Sequence, residues 1–201
     1  MTRVGIFGGS FNPVHLGHLS LAERARSELD LDKVLFVPSY RTPLKDPKAL
    51  MPASLRLSCL RQAVKARKYF AVSNYEIRQK GISYTVDTLG HFRRKFGPKT
   101  TLYFLAGADA AKNFSRWKSP DKVIKLCRFV VFSRPGFSPP RAGREFLQVH
   151  FPALDISSSE IRRRWLAGMS LKGIVPAEVE QALKRYKRKV LVTSKLKKRS
   201  I

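Results

Sequence analysis

Short apolar runs recur along the chain, separated by longer stretches in which apolar residues return at helical spacing. Val4–Phe7, Val34–Val37, Phe70–Ser73, Thr101–Leu105 and Phe129–Phe132 each read as a strand: too short for a helix and rich in β-branched or aromatic side chains. Between them the pattern predicts helices over Pro13–Leu29, over Pro52–Ala66, from Gly81-Ile82-Ser83-Tyr84-Thr85 to Phe96, and over Ser119–Leu126. In the second of these, Leu55, Cys59, Leu60 and Ala63 fall on one face. Gly97-Pro98 stops the third, and Ser119-Pro120 supplies a cap and a first helical residue for the fourth. Strand–helix alternation with short connections predicts an α/β fold with a mostly parallel sheet. Ligands in such sheets bind beyond the carboxyl ends of the strands. The segment after Phe7, the loop Pro38–Lys45 and Gly107–Asp109 each follow a strand, so all three are expected to face one crevice.

The first of these segments is the most informative. Gly8-Gly9 suggests a sharp turn of the kind glycine permits. Asn12-Pro13 reads as a helix cap followed by the first helical residue. His15 and His18 would then lie three residues apart on one face of the first turns, beside backbone N–H groups that have no helical partner. A helix start of this kind favours an anion. The glycine spacing excludes a dinucleotide fingerprint, and no Gly-Lys-Ser/Thr follows to make a P-loop. Near the other end stands Ile156-Ser157-Ser158-Ser159-Glu160-Ile161-Arg162. Ser157 with Glu160 predicts a capping box, and hydroxyls at a helix start with an Arg one turn in also make a phosphate cradle. Gly136–Gly143, rich in proline, reads as a loop, and Val175-Pro176 opens a last helix.

Composition narrows the setting. A chain of 201 residues is one domain with room for a substantial core, and its apolar content of 43% is that of a globular protein. No apolar run approaches the ~18 residues of a membrane span. The N-terminus runs directly into a strand and lacks the charged and apolar regions of a signal peptide, which points to the cytoplasm. Cys59 and Cys127 are isolated and read as small buried hydrophobes. The charge is unusual: 40 Lys+Arg against 14 Asp+Glu give +26. Such a field attracts ATP, mononucleotides and pyrophosphate, and equally RNA or DNA. Nine of the basic residues follow from Lys184 onward with no acid among them, so residues 190–201 read as a loosely ordered tail beyond a domain of residues 1–189.

Gly8-Gly9-Ser10-Phe11-Asn12-Pro13-Val14-His15-Leu16-Gly17-His18 resembles the H-x-G-H motif of the nucleotidyltransferase superfamily. In detail it resembles bacterial nicotinate-nucleotide adenylyltransferases, whose usual form is G-G-[ST]-F-[DN]-P-[IV]-H-x-G-H. The stretch Ile156–Arg162 resembles the superfamily's I-S-S-[ST]-x-I-R. Ser83-Tyr-Thr-Val-Asp-Thr-Leu89, Tyr103-Phe-Leu-Ala-Gly-Ala-Asp109, Phe114-Ser-Arg-Trp117 and Val130–Gly136 match motifs particular to the nicotinate branch. The likeness extends from about residue 3 to residue 186. It implies a Rossmann-like, doubly wound sheet of five to six strands with a C-terminal helical portion from about residue 157.

The resemblance also implies an activity: transfer of the adenylyl group of ATP to nicotinate mononucleotide, giving nicotinate adenine dinucleotide and pyrophosphate. By carry-over His18 and His15 are catalytic, with His18 at the α-phosphate. Gly8, Gly9, Ser10 and Phe11 contact ATP, Ser157, Ser158 and Arg162 hold its outer phosphates, and Asp109 binds a ribose hydroxyl. Lys45 holds the mononucleotide phosphate, Trp117 stacks on the pyridine ring, backbone near Thr85 meets the nicotinate carboxylate, and Tyr84 also binds the mononucleotide. No carboxylate cluster suggests a protein-held metal, so Mg²⁺ is expected to arrive on the ATP phosphates. The family's P-P-H-K loop reads Thr42-Pro43-Leu44-Lys45 here, without its histidine, and Ala182-Leu183 replaces a Tyr-Ile pair. The alternatives are a related adenylyltransferase acting on nicotinamide mononucleotide or phosphopantetheine, or a nucleic-acid-binding protein on this scaffold. A class I aminoacyl-tRNA synthetase fragment is excluded by length and by the lack of a K-M-S-K-S-like loop.

Overall fold

The structure, a computed structural model, describes residues 1–43, 46, 49–107, 111–133, 146–150 and 156–199, with side chains through residue 190, Ser133 and His150 apart. Six strands form one sheet: β1 (Arg3–Gly9), β2 (Lys33–Pro38), β3 (Phe70–Val72), β4 (Thr101–Gly107), β5 (Arg128–Ser133) and β6 (Phe146–His150). Their order is β3-β2-β1-β4-β5-β6, and every pairing is parallel. A parallel sheet must be covered on both faces, and the side chains alternate accordingly. Val4, Ile6, Leu35, Val37, Leu102, Phe104, Phe129 and Val131 belong to one core. Phe7, Val34, Phe36, Tyr103, Leu105, Val130 and Phe132 belong to the other.

Helices α4 (Thr85–Phe96) and α5 (Pro120–Leu126) cover the first face through Leu89, Phe92 and Val123. The second is covered by α1 (Leu16–Glu28), α2 (Ala53–Val64), α6 (Ser158–Leu166) and α7 (Ala177–Arg199). A short α3 (Tyr75–Gln79) follows β3, and a 3₁₀ turn occupies Phe114–Arg116. Chain order reverses between β1 and β4, the central pair, whose carboxyl ends therefore flank the crevice where ligands enter such sheets. Among the described residues, no helix is long and apolar enough to cross a membrane.

Five strands fall where the apolar runs place them. β6 carries a weak pattern: it is an edge strand in which Val149 is buried while Leu147 is exposed. The expected loop Gly136–Gly143 lies outside the described residues. The chain beyond residue 190, expected as a tail distinct from the domain, continues α7 as helix to Arg199. Lys, Leu and Arg have high helix propensity, and a helix already nucleated upstream extends at little cost.

Two expectations for the opening segment need correction. Gly8 and Gly9 are the last residues of β1 and lack positive φ; the left-handed residue is Phe11, at φ 43°. The glycines matter through close approach instead, since a Cβ on Gly8 would lie 3.1 Å from the Phe104 ring and one on Gly9 3.3 Å from the Phe11 ring. The first helix also begins at Leu16 with His15 as its N-cap, and not at Pro13. Asn12 cannot cap it because its amide is committed elsewhere, donating to the Ala49 carbonyl at 2.9 Å and accepting from the Met51 N–H at 2.8 Å.

The face bearing α4 and α5 is fastened by Arg93, whose guanidinium donates to the carbonyls of Gly97, Thr100 and Leu126. Gly97, at φ 76°, ends α4 as the sequence predicts. Replacing Arg93 with Met leaves those part-buried carbonyls without their charged donor. The expected loss is about 2–3 kcal/mol of unfolding free energy, measured from urea midpoints; an unchanged midpoint would mean that water replaces the guanidinium freely.

Candidate active site

Beyond β1 the backbone runs from Ser10 to His15 across the mouth of the crevice. Three of its carbonyl oxygens, and that of Gly9 before it, are turned into the protein. Gly9 accepts from the Ser39 N–H at 2.9 Å, and Ser10 accepts from the Arg56 guanidinium at 2.7 Å. Asn12 accepts from Arg162 Nη1 at 3.0 Å, and Pro13 accepts from the Ser158 hydroxyl at 3.1 Å. The last two contacts join residues 150 and 145 positions apart in the chain. The two phosphate-type motifs are thus physically one structure. With these oxygens held behind it, the loop is relieved of acceptors that would repel an anion.

Both histidines are at the start of α1. The rings of His15 and His18 lie 3.7 Å apart at 38°. The His15 N–H donates to His18 Nδ1 at 3.3 Å, which makes Nδ1 the acceptor and leaves the proton of neutral His18 on Nε2. His18 is half-buried, edge-on to Phe11 at 5.1 Å. His15 is buried, and burial lowers its pKa from 6.5 to about 4, so the ring is a neutral donor at physiological pH. Gly17 permits this packing, for a Cβ there would come within 3.1 Å of His15 Nδ1.

Phe11, expected at the ATP site, is 2% exposed and packs against Phe7, Phe36 and His18, so only its backbone can reach a ligand. Ser10 is buried at the end of the same turn. At the start of α6, Ser157 caps the helix as expected, accepting from the Glu160 N–H at 3.1 Å. The reciprocal half of the box is replaced: the Glu160 carboxylate takes Arg163 and Arg164, whose hydrogen bonds hold its pKa down at about 2. Arg162 is thereby left to the Asn12 carbonyl and the Ser159 hydroxyl, the latter at 3.2 Å.

Tyr84 and Thr85 form the start of α4, where the helix dipole favours an anion. The Ser83 N–H donates to the Arg41 carbonyl at 2.8 Å and its hydroxyl accepts from the Tyr40 N–H at 3.1 Å, which docks this segment against the chain leaving β2. Lys118 lies over the Tyr84 ring at 4.7 Å and pairs with Asp87 at 3.1 Å. Trp117 is half-buried among Phe104, Phe114 and Phe129, with ring centroids 5.4–5.9 Å away. Lys45, Leu44 and Asp109 lie outside the described residues. Among the described residues, no group of three or more His, Cys, Asp or Glu side chains could hold a metal ion.

Two buried ionisable residues, Arg56 and Glu76, carry no flag in the sequence. Arg56 is 1% exposed, although a basic residue in so basic a chain reads as solvated. Its spacing could have revealed it, since 56, 59, 60 and 63 share one face of α2 with buried neighbours. Glu76, on α3, accepts from the Thr88 hydroxyl at 2.6 Å, and burial pushes its carboxyl pKa up. A lone acid on an unpredicted five-residue helix carries no periodic signal.

Comparison with known proteins agrees with this architecture. The family model described as Cytidylyltransferase-like matches residues 6–164. A protein of Moorella thermoacetica, named a probable nicotinate-nucleotide adenylyltransferase, is 42% identical over 90% of this chain and 89% of its own length. One of the same name from Clostridium tetani is 36% identical, over 92% of this chain and 98% of its own. Among solved structures, the nicotinic acid mononucleotide adenylyltransferase of Plasmodium falciparum complexed with NaAD superposes with a TM-score of 0.77. That match covers 92% of this chain and 96% of the other, at 18% identity, and shows a shared fold. With both phosphate motifs joined at the mouth of the sheet and relatives this similar along nearly their whole length, the chain belongs to the nicotinate-nucleotide adenylyltransferase family.

Proposed function

We propose that this protein transfers the adenylyl group of ATP to nicotinate mononucleotide, releasing pyrophosphate and forming nicotinate adenine dinucleotide. The observation that carries the reading is the contact of Arg162 and Ser158 with the Asn12 and Pro13 carbonyls. It sets the histidine loop and the serine-rich helix start side by side, as one triphosphate needs.

A phosphate oxygen of the mononucleotide attacks the α-phosphorus of ATP. A new P–O bond forms there as the bond to the bridging oxygen breaks, and pyrophosphate carries that electron pair away. The attacking oxygen is already anionic near neutral pH, so the reaction needs alignment and charge stabilisation and no general base. His18 Nε2–H donates to the α-phosphate as charge grows, and neutral His15 adds a second donor. Ser10 and the backbone of Gly8, Gly9 and Phe11 meet the nucleotide. Ser157, Ser158 and Arg162 take the β- and γ-phosphates. Asp109 binds a ribose hydroxyl and Lys45 the acceptor phosphate. Trp117 flanks the pyridine ring, the Thr85 backbone holds its carboxylate, and Tyr84 also binds the mononucleotide. Histidine and arginine suit phosphate oxygens and not Mg²⁺, which is held mostly by phosphates, water and carboxylates, so the ion would enter bound to ATP as part of the substrate.

Three measurements test the reading. Supplied with Mg·ATP, the protein is expected to adenylylate nicotinate mononucleotide faster than nicotinamide mononucleotide; equal rates would leave adenylyl transfer standing and remove the acid preference. His18→Ala is expected to lower kcat by about 10²–10³ with folding intact, the usual effect of losing one transition-state donor. The third concerns His15, which binds its proton with a pKa of about 4 when folded and 6.5 when unfolded. Between these values the unfolded chain binds more protons, so this side chain's contribution to stability is complete above pH 6.5 and drains as pH falls toward 4. The stability difference between wild type and His15→Gln should therefore shrink from pH 7 to pH 4.5 in urea titrations; a constant difference would refute the assignment.

A further inference from the structure

Arg56 joins more of the crevice than any residue assigned to it. The side chain leaves the first turn of α2 and ends among backbone carbonyls of three segments. Nε donates to Met51 at 3.0 Å, Nη1 to Ser10 at 2.7 Å and to Ser39 at 2.8 Å, and Nη2 to Tyr40 at 3.1 Å. Among the described residues no carboxylate pairs with it. A buried cation without a counter-ion is costly, and here four carbonyl dipoles are what offset the loss of water.

The segments it holds are the ones that meet the substrates. Ser10 opens the histidine loop. Ser39 and Tyr40 begin the loop that leads toward Lys45, and the Tyr40 N–H passes the connection to the Ser83 hydroxyl, ahead of Thr85 and α4. Met51 is gripped twice, by Arg56 at its carbonyl and by the Asn12 amide at its N–H. One planar guanidinium therefore sets the distance between the loop for the triphosphate and the loops for the acceptor. Arginine suits this because its donors lie in a fixed fork, whereas a lysine ammonium on a flexible stem can reach only part of the set.

We propose that Arg56 is a positioning residue for adenylyl transfer, fixing the spacing between the histidine loop and the acceptor loops so that the acceptor phosphate meets the α-phosphorus in line. It touches neither substrate and acts through Ser10, Ser39 and Tyr40. The inference rests on the adenylyltransferase reading above. Each substrate meets its own loop in either arrangement, so the effect belongs to the ternary complex: kcat falls while the binding of either nucleotide alone changes little.

The test compares wild type, Arg56→Lys, Arg56→Met and Ser83→Ala by steady-state kinetics, by calorimetric binding of a non-hydrolysable ATP analogue, and by thermal unfolding. Arg56→Met is expected to lower kcat by about 30-fold or more, in keeping with a small misplacement of reacting groups, with affinity for the ATP analogue within about threefold of wild type. Arg56→Lys should fall between the two. Ser83→Ala, which cuts the same chain of contacts downstream, should lower kcat by about tenfold, and its combination with Arg56→Lys should lose less than the product of the single effects. If Arg56→Met does not fold, the lysine and serine variants and their combination decide the question. A folded variant with kcat near wild type would overturn the proposal, as would independent, multiplicative losses or a rate loss that only follows the folded fraction. Wild type assayed in parallel separates the two ideas: its failure with nicotinate mononucleotide refutes the acceptor, and the Arg56 comparison then proceeds with whichever mononucleotide it adenylylates.

Discussion

A loop that is to hold a polyphosphate must keep its own carbonyl oxygens away from it, and that requirement organises this molecule. The oxygens of Gly9, Ser10, Asn12 and Pro13 are taken by Ser39, Arg56, Arg162 and Ser158. These donors come from the residue that follows β2, from α2 and from α6. Each reaches the loop only because the sheet order is what it is: β2 pairs with β1 through Gly9 and Pro38, and α2 and α6 cover the same face. The site is therefore a property of the assembled core and not of the loop alone.

Charge acts here at two ranges. The net charge of +26 raises the local concentration of any polyanion and does not choose among them. Discrimination belongs to short-range groups, and several of those carry no charge. Burial keeps the His15 ring neutral, and the bond from the His15 backbone N–H orients His18, so both rings act as hydrogen-bond donors whose geometry is set before substrate arrives. Where formal charge does reach the loop, it is held on rigid guanidinium groups. Glu160, the acid nearest Arg162 in sequence, is occupied by Arg163 and Arg164 and does not compete for it.

Helix starts and strands were legible to different degrees for identifiable reasons. Buried parallel strands are continuous apolar runs, so β1, β2, β4 and β5 stand out; of the two part-exposed edge strands, β3 still carries the apolar run Phe70–Val72, whereas β6 is interrupted by Gln148. Asn12-Pro13 has the local chemistry of a helix start, yet the amide of Asn12 is bound to Ala49 and Met51, and the helix begins three residues later than that chemistry suggests. Phe11 stands within the nucleotide motif and is a core side chain. A motif states which residue types are present and leaves open which of them turn inward.

The sequence by itself determined the fold class, the positions of five of the six strands along the chain, the two phosphate-type motifs and the residues from which a nucleotidyl transfer site can be built. These depend on local periodicity and on spacing along the chain, which any unfolded copy already carries. Only the tertiary structure decided that Asn12 ties down the segment leading into α2, that His15 is neutral, and that Arg56 is buried among the carbonyls of both substrate loops. Those outcomes depend on which groups lose water together, and residues 10 and 56, or 12 and 162, share an environment only once the sheet has closed between its two layers of helices.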